Sequence, residues 1–238
     1  MKKKMFIFAG VLALSVMMAT PVLASETSQD GISAQALEDL SYGSNQVYDE
    51  TTGDWKWVFA DENGAAVTTE GWQKYVYSGD ESYYDWYYVG ADGYLYTDGI
   101  YKINGNKYCF YYSGEMATGS FGYYDENYEY KRGLAESNGV IVEKKNTWYK
   151  CEDQWGNVAW YYFGADGSLY TDGTYTVDGK KYYFEYGGEM ASGPYQVYDY
   201  DAEEWVWKVT NSDSTVIEAK NTWVYYDGGE TRSYYTGW

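Results

Sequence analysis

Two short runs place the same aromatic residues 74 positions apart: Trp86-Tyr87-Tyr88 and Trp160-Tyr161-Tyr162. Side chains alternate along an extended strand, so Trp86 and Tyr88 share one face, as do Trp160 and Tyr162. Tyr101 and Tyr108 follow the first pair, and Tyr175 and Tyr182 follow the second at the same spacing. Rings grouped in this way can hold an organic cation against their negative faces. They can also stack on the apolar face of a sugar. Met116 and Met190 recur 74 residues apart in Gly-Glu-Met-Ala-Thr-Gly and Gly-Glu-Met-Ala-Ser-Gly. Methionine is a soft side chain that adapts to ring edges. Two readings stand for these residues: a ligand box, or plugs and staples that pack the fold.

Other chemistries find little support. The chain contains no histidine, which removes His-based triads and His-containing zinc sites. There is no Gly-x-Ser-x-Gly and no phosphate loop. The acidic runs Asp125–Glu129 and Asp199–Asp201 lack the glycine that an EF-hand loop needs, and they read as solvated turns. No catalytic residue, metal site or cofactor is expected. The formal charge of -19 includes three lysines near the N-terminus. Such a surface repels nucleic acid and other bare polyanions and favours neutral or cationic ligands.

The elements that position the rings are short strands. Beyond residue 24 there are five Leu and five Ile, against 33 Tyr and 11 Trp, so aromatic residues must build much of the core. Tyr and Trp favour strands, and 27 Gly supply turns. Residues 86–119 align without a gap on 160–193 with 23 of 34 positions identical, which is an internal duplication. Each copy holds a hairpin signature, Asn104-Gly105 in one and Asp178-Gly179 in the other. Two further hairpin classes surround this one. Class one begins at Val47, Tyr123 and Val197, and class two at Gly71, Asn146 and Asn221. The hairpin just described is class three. The order one, two, three repeats with a period of about 75 residues. An isolated hairpin is marginal in water, but stacked hairpins bury each other's aromatic faces.

The first 24 residues combine a basic start, an apolar run and Val22-Leu23-Ala24 before Ser25, the pattern of a cleaved export signal. No membrane attachment is expected after cleavage. Residues 25–46 read as a flexible leader, and 47–238 as the repeat domain.

Thr69–Trp72, Asp85–Gly99, Ile103–Phe110, Val177–Phe184 and Gly114–Gly119 resemble the choline-binding or cell-wall-binding repeats of Gram-positive surface proteins. Related repeats occur in glucan-binding domains and in clostridial toxin C-terminal domains. The resemblance covers Val47 to Trp238. It implies an all-β hairpin solenoid of about eight hairpins, with three hairpins per superhelical turn. It also implies ligands held between consecutive hairpins, by the residues named above together with Trp72, Trp148, Tyr195 and Trp223. The partner it implies is a cell-wall or surface polysaccharide or a choline-substituted polymer, bound outside the cell without catalysis. A structural or adhesive protein with a protein partner is the alternative. The family's Gly-Trp stands at Gly71-Trp72 and Gly237-Trp238 but is replaced elsewhere, as at Gly193-Pro194-Tyr195. Class one departs furthest. Cys109 and Cys151, whose counterparts at the 74-residue spacing are Tyr183 and Tyr77, are expected to be free thiols.

Overall fold

The computed structural model describes residues 40–49, 52–77, 80–153, 156–218, 222–227 and 231–236. The expected export signal and most of the expected leader lie outside these residues. The first strand begins at Gly43 rather than Val47, inside the stretch expected to be leader. Every regular element among the described residues is a β-strand, and sequence neighbours pair into antiparallel hairpins.

The chain divides into two compact units. In the first, β1 (Gly43–Asp49) pairs with β2 (Asp54–Ala60), and β3 (Ala66–Val67) adds to β2. Next come β4 (Gly71–Val76) with β5 (Tyr84–Val89), and β6 (Gly99–Ile103) with β7 (Asn106–Phe110). The second unit holds β8 (Gly119–Tyr124) with β9 (Tyr130–Ala135), and β10 (Thr147–Glu152) with β11 (Val158–Phe163). It continues with β12 (Gly173–Val177) and β13 (Lys180–Phe184), β14 (Pro194–Asp199) and β15 (Glu204–Val209), and β16 (Thr222–Asp227) and β17 (Thr231–Thr236).

The turns follow from local chemistry. Asn104 and Gly105 have φ of 49° and 91°, and Asp178 and Gly179 have 49° and 76°. Positive φ at both central residues is the type I′ turn, which matches the right-handed twist of the flanking strands. The acidic turns use their carboxylates internally. Asp125 Oδ1 accepts the backbone N–H groups of Asn127 and Glu129 at 2.8 and 3.0 Å, an Asx-type cap.

Successive hairpins within each unit are joined in one repeated way. After a hairpin the chain turns back, and a single apolar residue bridges to the hairpin's last strand: Leu95 to Val89, Met116 to Phe110, Leu169 to Phe163, Met190 to Phe184. The same residue donates its N–H to the preceding hairpin. Leu95 bonds to the Trp57 carbonyl at 2.8 Å, Met116 to Trp86 at 2.7 Å, Leu169 to Arg132 at 2.9 Å, and Met190 to Trp160 at 2.8 Å. Val216 bonds to Lys181 in the same way, at 2.8 Å. Each joint therefore repeats one backbone hydrogen bond and one bridging apolar residue.

The innermost core is phenylalanine. Phe59, Phe110, Phe121, Phe163 and Phe184 are all buried, and they are the only five Phe beyond residue 24. Tyr and Trp surround them, mostly half-buried. Phe has no polar atom to satisfy, which explains the division of labour.

Both cysteines are buried and free. Burial, with Asp98 nearby, pushes the Cys109 thiol up to about 11, and burial raises Cys151 as well. The reactive thiolate is thus scarce at neutral pH. Alkylation of the native protein should be slow, and alkylation after denaturation without reductant should add two labels. Mass spectrometry showing no labels under denaturing conditions would establish a bridge instead. The strand register also corrects one correspondence. Trp148 takes the place of Trp72, so Cys151 takes the place of Tyr75, not Tyr77. The turn between β10 and β11 is shorter than that between β4 and β5, which breaks the 74-residue spacing there.

Candidate ligand-binding ring clusters

Strand alternation gathers most of the expected site residues into two groups. In the first, Trp72 on β4 faces its cross-strand partner Tyr88 on β5. The Trp72 ring lies 5.1 Å from Tyr88, 6.4 Å from Trp86, 4.9 Å from Tyr108 and 6.0 Å from Phe110. In the second, Trp148 on β10 lies 5.2 Å from Tyr162, 6.5 Å from Trp160, 4.9 Å from Tyr182 and 5.8 Å from Phe184. Paired interplanar angles agree to within about 10°, so the duplication extends to ring geometry. Most contacts are edge-to-face, the arrangement that ring quadrupoles favour.

Two residues missing from the sequence reading complete the clusters, one in each. Tyr96 stacks on Tyr101 at 4.2 Å and tilts against Tyr88 at 5.1 Å. Tyr170 does the same with Tyr175 at 4.1 Å and Tyr162 at 5.0 Å. Both lie inside the most identical part of the duplication, in Leu-Tyr-Thr-Asp-Gly, and that identity is the signal that could have found them. Tyr101 and Tyr175 are held by O–H donation to the Thr97 and Thr171 carbonyls, at 2.8 and 2.9 Å.

The methionines sit at the joints. Met116 packs with Tyr88, Ile103 and Phe110 beneath the first ring cluster. In the other hairpins Val67, Leu95, Ile141, Leu169 and Val216 hold the equivalent bridging position. The structure therefore packs Met116 within its cluster and holds Met190 at the same bridging position.

The clusters differ at their rims. In the first, the Lys74 ammonium lies 4.1 Å over the Tyr84 ring, and Tyr84 packs 6.4 Å from Trp86. Tyr88 donates its hydroxyl to Glu70 Oε1 at 2.9 Å, and burial followed by this bond raises Tyr88 to about 12. In the second, Val158 stands where Tyr84 stood, and Trp160 is 44% exposed. The second cluster thus offers the more open ring face.

One expected residue, Tyr195, does not join either cluster, and another, Trp223, cannot be placed in one. Tyr195 is buried and stacks on Tyr183 at 4.5 Å, in a separate group with Ala191. Pro194-Tyr195, which stands where the family has Gly-Trp, begins β14 with this ring turned into the core. The side chain of Trp223 lies outside the described residues, and its backbone pairs with Tyr235.

Burial raises Tyr195 to about 12 and also raises Tyr161, whose hydroxyl donates to Glu189 Oε1 at 3.3 Å. A raised folded-state value means the native chain keeps phenol protons that an unfolded chain releases above about pH 10. The corresponding stability is complete below pH 10 and is lost as pH rises toward 12. Phenolate absorbance and loss of circular dichroism should therefore rise together over that window. Full phenolate formation near pH 10 with the strand signal intact would contradict this.

No family model matches the chain. Over 115 residues, 48% of the chain, it is 35% identical to Glucosyltransferase-S of Streptococcus mutans, and the match covers 7% of that protein. Over 114 residues it is 29% identical to Glucosyltransferase-I of Streptococcus downei, covering 6% of it. The chain thus matches only a small part of these relatives' length. Among solved structures, choline binding protein F from Streptococcus pneumoniae is 27% identical with a TM-score of 0.36, covering 75% of this chain and 48% of that one. The choline-binding domain of CbpL from Streptococcus pneumoniae is 25% identical with a TM-score of 0.25, covering 69% and 87%.

Proposed function

We propose that this chain, whose repeats are of the choline-binding and glucan-binding kind, is a non-catalytic module that attaches outside the cell to cell-wall or surface glycopolymers. The duplicated ring cluster carries the reading. Two copies of one constellation, Trp72 with Trp86, Tyr88 and Tyr108, and Trp148 with Trp160, Tyr162 and Tyr182, keep the same distances while the residues around them diverge. On this reading the hairpins continue as a solenoid of three per turn, and ligands sit against rings contributed by consecutive hairpins. Residues 1–24 direct export and are removed.

The energetics suit a reversible hold. A quaternary ammonium on a ring face gains about 0.5–2 kcal/mol per contact. After ordering costs, a site built from a few such contacts has roughly millimolar affinity. Several sites on one polymer then give useful retention through avidity. The negative charge of the chain and Glu70 beside Tyr88 weight the first cluster toward a cation such as choline.

The test is retention on choline-bearing walls, on choline-free walls and on an α-glucan, with tryptophan fluorescence followed during choline titration. Retention on at least one polymer with a saturable fluorescence change is expected. Absence of both at tens of millimolar choline or sugar would reduce the rings to structural staples.

A further inference from the structure

The chain contains three Asn-Gly pairs, Asn63-Gly64, Asn104-Gly105 and Asn138-Gly139. An asparagine side-chain amide and the next backbone nitrogen can close into a five-membered ring. A following glycine has no Cβ to obstruct that approach. The three pairs are therefore matched in their local chemistry, and the fold treats them differently.

At two of the pairs the reacting groups are held. Gly64 N–H donates to the Asp61 carbonyl at 2.9 Å, and the Asn63 side chain hydrogen-bonds the Asp61 carboxylate. A Cβ on Gly64 would lie 3.0 Å from the Leu40 carbonyl oxygen, so this turn is also crowded. Gly139 is buried and donates its N–H to the Glu136 carbonyl at 2.8 Å, while Asn138 Oδ1 accepts the Val140 N–H at 3.0 Å. At the third pair nothing is held. Asn104 and Gly105 are both exposed, and beyond its chain neighbours no heavy atom would come within 4 Å of a Cβ on Gly105. Strand pairing resumes at Ile103 and Asn106, which leaves the Gly105 N–H of this type I′ turn to solvent. Among the described residues, neither that N–H nor the Asn104 amide has a hydrogen-bond partner.

We infer that Asn104 is a site of spontaneous deamidation in the folded protein, converted by water to aspartate and isoaspartate. The Gly105 nitrogen attacks Asn104 Cγ and forms a C–N bond. The bond from Cγ to the amide nitrogen breaks, and ammonia leaves with the proton from Gly105. Water then opens the cyclic imide. Opening at Cγ gives aspartate, and opening at the main-chain carbonyl gives isoaspartate. The net exchange is water taken up and ammonia released, with one negative charge added when the acid ionises. Asn104 stands at φ 49°, so ring closure requires the backbone at the tip to rotate. At Asn104 that rotation breaks no hydrogen bond and meets no side chain, whereas at Asn63 and Asn138 it must first break the bonds just named. The duplicate turn shows that the aspartate product fits, since Asp178-Gly179 adopts φ of 49° and 76° in the same place. Isoaspartate instead adds a methylene to the main chain between the paired Ile103 and Asn106. The reaction is independent of what the ring clusters bind.

The test is ageing of the full chain in mildly alkaline buffer, folded and in guanidinium chloride, followed by tryptic digestion and fragmentation mass spectrometry. The peptide Ile103–Lys107 reports Asn104 and separates it from Asn106. In the folded protein, Asn104 should convert at least about five-fold faster than Asn63 and Asn138, because only its turn opens without breaking hydrogen bonds. In denaturant the three rates should fall within about two-fold of one another, since each asparagine precedes glycine and the fold no longer distinguishes them. Isoaspartate should appear in the same peptide by enzymatic methylation of the isoaspartyl carboxyl group. Asn104→Asp should keep the wild-type circular dichroism and release clearly less ammonia than folded wild type. Conversion of folded Asn104 no faster than that of Asn63 or Asn138, or conversion at Asn106 instead, overturns the inference. So does the same ranking of rates in denaturant, which would assign the difference to local sequence. Equal ammonia release from folded wild type and Asn104→Asp overturns it as well.

Discussion

Trp160→Ala should lose the ligand response of the second ring cluster while melting within a few degrees of wild type, whereas Trp148→Ala should lose the response and much of the stability. The two tryptophans belong to one cluster but occupy different places. Trp160 is 44% exposed and touches the cluster at its rim. Trp148 is half-buried and contacts four rings, from β11 and β13. Removing a large buried aromatic costs about 3–5 kcal/mol, and each lost ring pair carries roughly 0.5–1.5 kcal/mol of that. At about 2–4 °C per kcal/mol for a chain of this size, Trp148→Ala should lower Tm by on the order of 10 °C. The checks are thermal melts by circular dichroism and choline titration by fluorescence. A Trp160→Ala protein that binds as wild type would remove this cluster from the binding surface.

The largest effect on stability is expected for Phe184→Ala. Phe184 is fully buried and closes the β12–β13 hairpin opposite Gly173. Its ring meets Trp148, Tyr170 and Tyr175, and its backbone bridges to Met190. It thus supports both the second cluster and a joint. The loss should be about 3–5 kcal/mol, at the upper end if the surrounding rings cannot collapse into the space. Phe184→Leu should recover more than half of it. Tyr200→Ala, at an 83% exposed turn position, should stay within about 0.5 kcal/mol. Because each hairpin rests on its neighbours, hydrogen exchange in Phe184→Ala should accelerate from β10 to β15 and leave β1–β2 protected. Uniform acceleration across the chain would show a single cooperative core instead.

How much of this was legible in the sequence depended on range. Asn104-Gly105 and Asp178-Gly179 announce their turns because positive φ is a property of two adjacent residues. Trp86 and Tyr88 announce a shared face because alternation is local. Contacts across a joint carry no such local rule. Tyr96 and Tyr170 complete the clusters only because Tyr96 N–H and Tyr170 N–H bond back to the Tyr88 and Tyr162 carbonyls, at 2.9 Å each, and so bring their rings against those of Tyr88 and Tyr162. Tyr195 looked like a Gly-Trp equivalent, but its strand pairs with β15 and turns the ring onto Tyr183. Ser44 and Asn45 looked like leader by composition, yet Phe59 and Val58 opposite them draw them into β1. Propensity lost to pairing there, as it does whenever the partner strand supplies the apolar surface.

The joints have a mechanical meaning. Met190 holds β12–β13 to Trp160 by one backbone hydrogen bond, and Val216 holds the next hairpin to Lys181 by another. Links of this kind bear tension in series, so each carries the whole of a pull along the chain rather than sharing the force as a shear-loaded ladder of parallel bonds would. When a joint yields, its hairpin can unzip from the Gly173–Phe184 end toward the turn. The 12 residues from Gly173 to Phe184 would then pay out roughly 40 Å of slack. A molecule built this way lengthens in steps under drag, and each step relaxes the force on the hairpins still folded.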